Sequence, residues 1–115
     1  MINSIKKLKV QIFADGADYK SMISLSKKKY IKGLTTNPSL MRKAGIKNYV
    51  NFAKKVIKNI NNKSISLEVF ADSELEIEKQ ALYLSKLGKN VYVKIPIMNT
   101  KRKYLYKLIN KLSNK

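Results

Sequence analysis

Four short apolar runs recur along the chain, each followed by a segment whose apolar positions have helical spacing. The first, Val10-Gln11-Ile12-Phe13-Ala14, ends at Asp15. Beyond Gly16, Asp18 is a good N-cap for a helix with apolar positions Tyr19, Met22, Ile23 and Leu25. Gly33-Leu34-Thr35-Thr36 is a weaker strand cut off by Asn37-Pro38, and Pro38 suits the first turn of a helix through Leu40 and Met41. A turn at Gly45 leads to a longer helix with Tyr49, Phe52, Ala53, Val56, Ile57 and Ile60 on one face. The third run spans Ile65 to Phe70. Asp72 or Ser73 then caps a helix with apolar positions Leu75, Ile77, Ala81, Leu82 and Leu84, closed by Gly88. Val91 to Ile95 is the clearest strand, ended by Pro96. A last helix is expected from about Thr100, with Leu105, Leu108, Ile109 and Leu112 inside.

Strand then helix, four times over with short connections, predicts a parallel α/β fold. The strands are nearly continuous apolar runs, as expected when helices cover the sheet. No linker or second domain is visible, so residues 1–115 read as a single domain.

Composition narrows the chemistry. With neither Cys nor His, disulfides, imidazole catalysis and most transition-metal sites are excluded, leaving lysine, carboxylates, hydroxyls, amides and tyrosine. No segment reaches the length of a membrane span and no signal h-region is present, so the expectation is a cytoplasmic protein. The net charge of +18 invites a nucleic-acid reading. Against that reading, the cations are almost all lysine and are spread over nearly every segment rather than forming one stripe. The expectation is therefore solvated helix faces and no nucleic-acid or membrane partner.

A polar residue stands at or near the C-terminal end of each strand: Asp15, Asn37, Glu68 and Lys94. In a parallel sheet these ends share one rim, and in barrels that rim holds catalytic groups. Strand alternation puts Tyr92 and Lys94 on one side, with Val91, Val93 and Ile95 on the other. Partial burial disfavours the ammonium form and frees the amine to attack a carbonyl. The alternatives are a lysine that snorkels into water or one that pairs with Glu68. Glu68, between Leu67 and Val69, would pair with Lys94 or hold a water. Asp15 could cap a helix, although Asp18 is better placed to do so, and Asn37 could simply form the turn before Pro38.

The segments Phe13-Ala14-Asp15-Gly16-Ala17-Asp18, Gly33-Leu34-Thr35-Thr36-Asn37-Pro38-Ser39-Leu40, Leu67-Glu68-Val69-Phe70-Ala71 and Val91-Tyr92-Val93-Lys94-Ile95-Pro96 resemble the transaldolase family, closest to its small transaldolase and fructose-6-phosphate aldolase-like branch. The likeness covers essentially the whole chain but only the N-terminal half of the family's barrel. It implies the first half of a TIM (β/α)8 barrel, truncated after about four units. By the same resemblance, Lys94 would form an imine with a ketose phosphate and Asp15 would exchange a proton at the hydroxyl beside the breaking bond. Glu68 would act through water, and Asn37 with Thr36 would hydrogen-bond substrate hydroxyls. The implied activity transfers a dihydroxyacetone unit between sugar phosphates in carbohydrate (pentose phosphate) metabolism, with no cofactor or metal. Gly16 departs from the threonine many members carry there, and Glu68 favours transfer over simple aldol cleavage.

A closed barrel pairs its last strand with its first, so four units leave two open edges. Exposing several hundred Å² of inner face at roughly 25 cal/mol per Å² forfeits energy comparable with a domain's whole stability. The expectation is a homo-oligomer or a complementary half-barrel chain. The competing readings are a non-catalytic remnant, half of a split enzyme, and a basic nucleic-acid-binding module.

Overall fold

The computed structural model describes residues 4, 5 and 7–115. Four strands, β1 (Ile12–Asp15), β2 (Ile31–Thr35), β3 (Ser64–Glu68) and β4 (Val91–Lys94), form one sheet in sequence order with every neighbouring pair parallel. Helices α1 (Tyr19–Ser26), α2 (Pro38–Lys43), α3 (Tyr49–Asn59), α4 (Glu74–Ser85) and α5 (Tyr106–Ser113) occupy the connections and the end of the chain. This is an α/β fold of four βα units, consistent with the first half of a TIM barrel. Among the described residues, no helix is long and apolar enough to cross a membrane.

The two sheet faces differ sharply. On one, Leu34, Ile65, Leu67 and Val69 are buried under the helices and meet Met22, Ala53, Val56, Ile77, Ala81 and Leu84. The other face is open: Phe13 is 46 % and Tyr92 63 % exposed. Gly33 belongs to this open side, where a Cβ would fall 2.6 Å from a Phe13 ring carbon. A side chain there would push the ring off the sheet.

Local signals fix most boundaries. Asp18, Asn37 and Asn48 cap α1, α2 and α3, each side chain accepting from the backbone N–H three residues on. Pro38 occupies the first turn of α2, as its fixed φ allows.

Several expectations are corrected. The first strand starts at Ile12, leaving Val10 68 % exposed, and the second starts two residues earlier than Gly33. Ser73, not Asp72, caps α4. Leu75 lies in the first turn, off the stripe formed by Ile77, Ala81 and Leu84, and is exposed.

The last helix begins at Tyr106 rather than near Thr100. Residues 98–104 instead form a pinned loop closed by a Met98–Tyr104 bridge. The Asn99 Oδ1 accepts from the N–H groups of Lys101 and Lys103, while the Asp72 carboxylate accepts from the Thr100 N–H and hydroxyl. These side chains outcompete the helix for the same backbone donors, and Arg102 is left at φ 63°.

Candidate active site

Strand alternation and parallel register gather the polar strand-end residues on the open face. Asp15 lies beside Thr35, Thr35 beside Ser66, and Glu68 beside Lys94. Glu68 and Lys94 are both half-buried, and Asp15 is exposed. The rim therefore presents a carboxylate on β1, a hydroxyl on β2, a carboxylate on β3 and an amine on β4.

Asp15 accepts a hydrogen bond from the Thr35 hydroxyl at 2.7 Å. That bond orients one carboxylate oxygen and leaves the other free at the rim. Gly16 follows at φ 144°, a backbone conformation that L side chains rarely adopt, and its N–H donates to the Thr35 carbonyl. Glycine at position 16 thus matches the local backbone.

Of the two alternatives for Glu68, a direct ion pair with Lys94 is not formed. Among the described residues the ion pairs are Lys103–Glu74 and Lys111–Glu78, although register sets Glu68 directly opposite Lys94. Lys94 and Glu68 therefore stand on neighbouring strands without a direct ion pair between them.

The backbone around Glu68 is held from outside the sheet. Its carbonyl accepts from the Tyr49 hydroxyl at 2.5 Å, and the Tyr49 ring packs on Phe70 with centroids 5.2 Å apart. Burial, and then the nearby Glu68 charge, push the Tyr49 phenol up to about 12. Gln80 on α4 accepts from both the Phe70 and Ala71 N–H groups at 3.0 Å, fixing the chain as it leaves β3. Neither residue stands out in the sequence, because their partners lie 9 to 19 residues away.

Asn37 uses its Oδ1 to cap α2 by accepting from the Leu40 N–H at 2.8 Å, leaving its amide N–H groups as the donor end. Thr36 lies on the other side. It shares the helix-facing side with Leu34, is 1 % exposed, and its hydroxyl has no hydrogen-bond partner among the described residues. The threonine on the rim face is Thr35, as alternation from Gly33 would have indicated.

A parallel four-unit α/β sheet thus gathers an amine, two carboxylates and a hydroxyl at its C-terminal rim. Residues 12–115 match the transaldolase/fructose-6-phosphate aldolase family, and the chain belongs to that family. It is 33% identical over 87 residues to a probable transaldolase of Dehalococcoides mccartyi, covering 76% of this chain and 40% of that protein. Probable transaldolases of Sulfurihydrogenibium sp. and Sinorhizobium medicae are 33% and 34% identical over 88 residues, with the same coverage. The chain thus spans about 40% of the length of the relatives it matches.

Proposed function

We propose that this chain carries the imine-forming part of a transaldolase-type site, which moves a dihydroxyacetone unit between sugar phosphates. The observation that carries this reading is the side-by-side placement of Lys94 and Glu68 on the open face, unpaired and half-buried. The free Lys94 amine attacks the keto carbon of a ketose phosphate. Glu68, through a water, supplies the proton that lets the carbinol hydroxyl leave, and a protonated imine forms. This iminium draws in the electron pair of the bond between its α- and β-carbons, so that an enamine forms as the β-carbon departs. Asp15, oriented by Thr35, takes the proton from the hydroxyl on the departing carbon. An aldose phosphate leaves and an enamine of dihydroxyacetone stays on Lys94. The enamine adds to an acceptor such as erythrose 4-phosphate, Asp15 returns its proton to the new hydroxyl, and water releases the product. Asn37 contributes its amide N–H groups to substrate hydroxyls. The sequence requires no cofactor or metal.

The same reading extends to a partner polypeptide. The β1 and β4 edges of the sheet are unpaired among the described residues. Beside β4 runs a groove of about 850 Å³, lined by Leu82, Val91, Val93, Ile95, Ile109 and Leu112. An apolar groove along a free parallel edge suits a further strand and helix, from a second copy or from a complementary half-barrel chain.

Fructose 6-phosphate and borohydride should leave a reduced covalent adduct on the folded chain, and Lys94→Arg should abolish it. A folded protein that stays unmodified would refute the catalytic reading and favour a non-catalytic remnant. Sedimentation should give a dimer, or a complex with a chain supplying the rest of the barrel. A monomer with full transfer activity would refute the partner.

A further inference from the structure

The lysines look evenly dispersed along the sequence, yet no Asp or Glu occurs between Tyr19 and Leu67. In the fold, all seven carboxylates fall at one pole of the sheet. Asp15 and Glu68 end β1 and β3, Asp18 caps α1, and the rest lie just before α4 or in its first two turns. The opposite pole is where strands begin and α1, α3 and α4 end. It carries Lys27, Lys28 and Lys29 between α1 and β2, Lys63 between α3 and β3, and Lys86 and Lys89 between α4 and β4. Lys63 is half-buried and the others are exposed.

These loops are bound to one another. The Lys63 amine donates to the Lys28 carbonyl at 3.4 Å, and the Asn90 amide donates to the Ile60 and Lys63 carbonyls at 2.9 and 2.8 Å. The ion pairs of the described residues lie elsewhere, at Lys103 and Lys111. A helix C-terminus favours a cation in its last turn or at its cap, which accounts for the C-caps Lys27 and Lys86. It does not account for Lys28, Lys29, Lys63 and Lys89. Like charges held close on connected loops repel one another unless a polyanion neutralises them.

We infer that this pole binds the phosphate backbone of double-stranded nucleic acid, at the opposite end of the sheet from Lys94. Lysine ammonium groups neutralise phosphates as point charges without reading bases. The exposed Asn61 and Asn62 sit among them as further amides. None of the exposed large apolar or aromatic side chains belongs to these three loops, whereas Val10 just before β1 and Tyr83 in the last turn of α4 are exposed near the same pole, so the loops themselves offer phosphate contacts and no stacking platform. The spread of cations over every segment, which argues against nucleic acid in the sequence, is undone by a topology that collects the carboxylates at the other pole.

The test is fluorescence anisotropy of the 115-residue chain with a short labelled DNA duplex. Six neutralised phosphates predict an affinity loss of about a thousandfold between about 50 and 200 mM salt. The combined Lys27→Glu, Lys28→Glu and Lys29→Glu variant should weaken binding at low salt at least about tenfold more than Lys101→Glu, Arg102→Glu and Lys103→Glu, which changes net charge equally at the other pole. The same comparison with glutamine replacements covers a pole variant that fails to fold. Equal losses from both triple variants would overturn the inference, as would tighter binding to the single strand. Binding to phosphatidylserine vesicles without duplex binding would overturn it too.

Discussion

Replacing Thr36 by valine separates its two readings. The Thr36 side chain is 1 % exposed on the helix-covered face, and its hydroxyl is unpaired within the described residues. Its backbone N–H donates to the Ser66 carbonyl, a bond the substitution leaves in place. An unsatisfied buried hydroxyl costs about 1–3 kcal/mol, and a buried methyl in its place contributes roughly 0.8 kcal/mol. Allowing for imperfect fit of the branched side chain, Thr36→Val should stabilise the fold by about 1–2 kcal/mol. For a domain of this size that is a rise in melting temperature of about 4 °C or more, and a urea midpoint higher by about 0.5–1 M. Paired urea titrations by circular dichroism measure it, with covalent trapping of fructose 6-phosphate run on both proteins. Trapping should be unchanged. A lower midpoint, or a stable variant that no longer traps substrate, would refute this placement and restore Thr36 as a substrate contact.

Three further outcomes follow from the structure. The Thr100 hydroxyl and then its N–H hold the Asp72 carboxyl below the ordinary carboxylate range, so the stability this bond gives is present above the unfolded-state value of about 3.9 and is lost as pH falls through the lower folded value. Asp72→Asn should therefore lower the urea midpoint at neutral pH, and the gap to the native chain should close at acid pH; a gap that persists there would contradict it. The Tyr49 phenol, pushed up to about 12 by burial and then by Glu68, contributes stability below the unfolded-state value of about 10 that is lost as pH rises through the folded value. In ultraviolet titration Tyr49→Phe should remove the last ionising phenol, and loss of an early one would count against the Glu68 contact. Gly33→Ala should destabilise by about 1–3 kcal/mol, because a Cβ would clash with the Ser64 Oγ as well as fall 2.6 Å from the Phe13 ring; a neutral thermal melt would show that neither side chain closes over this backbone.

Much of the architecture was legible in the sequence, because strand period, caps and Pro38 are local. Asp18 and Asn37 announced their helices, and Val91 to Lys94 announced its strand together with the face on which Lys94 lies. The late start of α5 was not legible. Its reason is a contact between Asp72 and Thr100, 28 residues apart, joined to Asn99 side-chain bonds that no apolar periodicity records. At the rim, Asp15, Glu68 and Lys94 followed from strand ends alone. Thr36 entered with Asn37 through the family resemblance alone, whereas strand alternation from Gly33 places Thr35 on the rim face. Tyr49 and Gln80 were hidden for another reason: a helical apolar position and a helical amide look ordinary until β3 is laid beside them. The charge asymmetry was invisible in composition, since only topology decides which loops share a pole.

A chain this rich in lysine offers many amines to any carbonyl compound, so the site of attachment matters more than the existence of an adduct. The decisive measurement is peptide mapping of the folded chain after reaction with fructose 6-phosphate and borohydride at low stoichiometry. One reduced adduct is expected, on the peptide containing Lys94. An adduct spread over several lysines, or concentrated on any other, would contradict it.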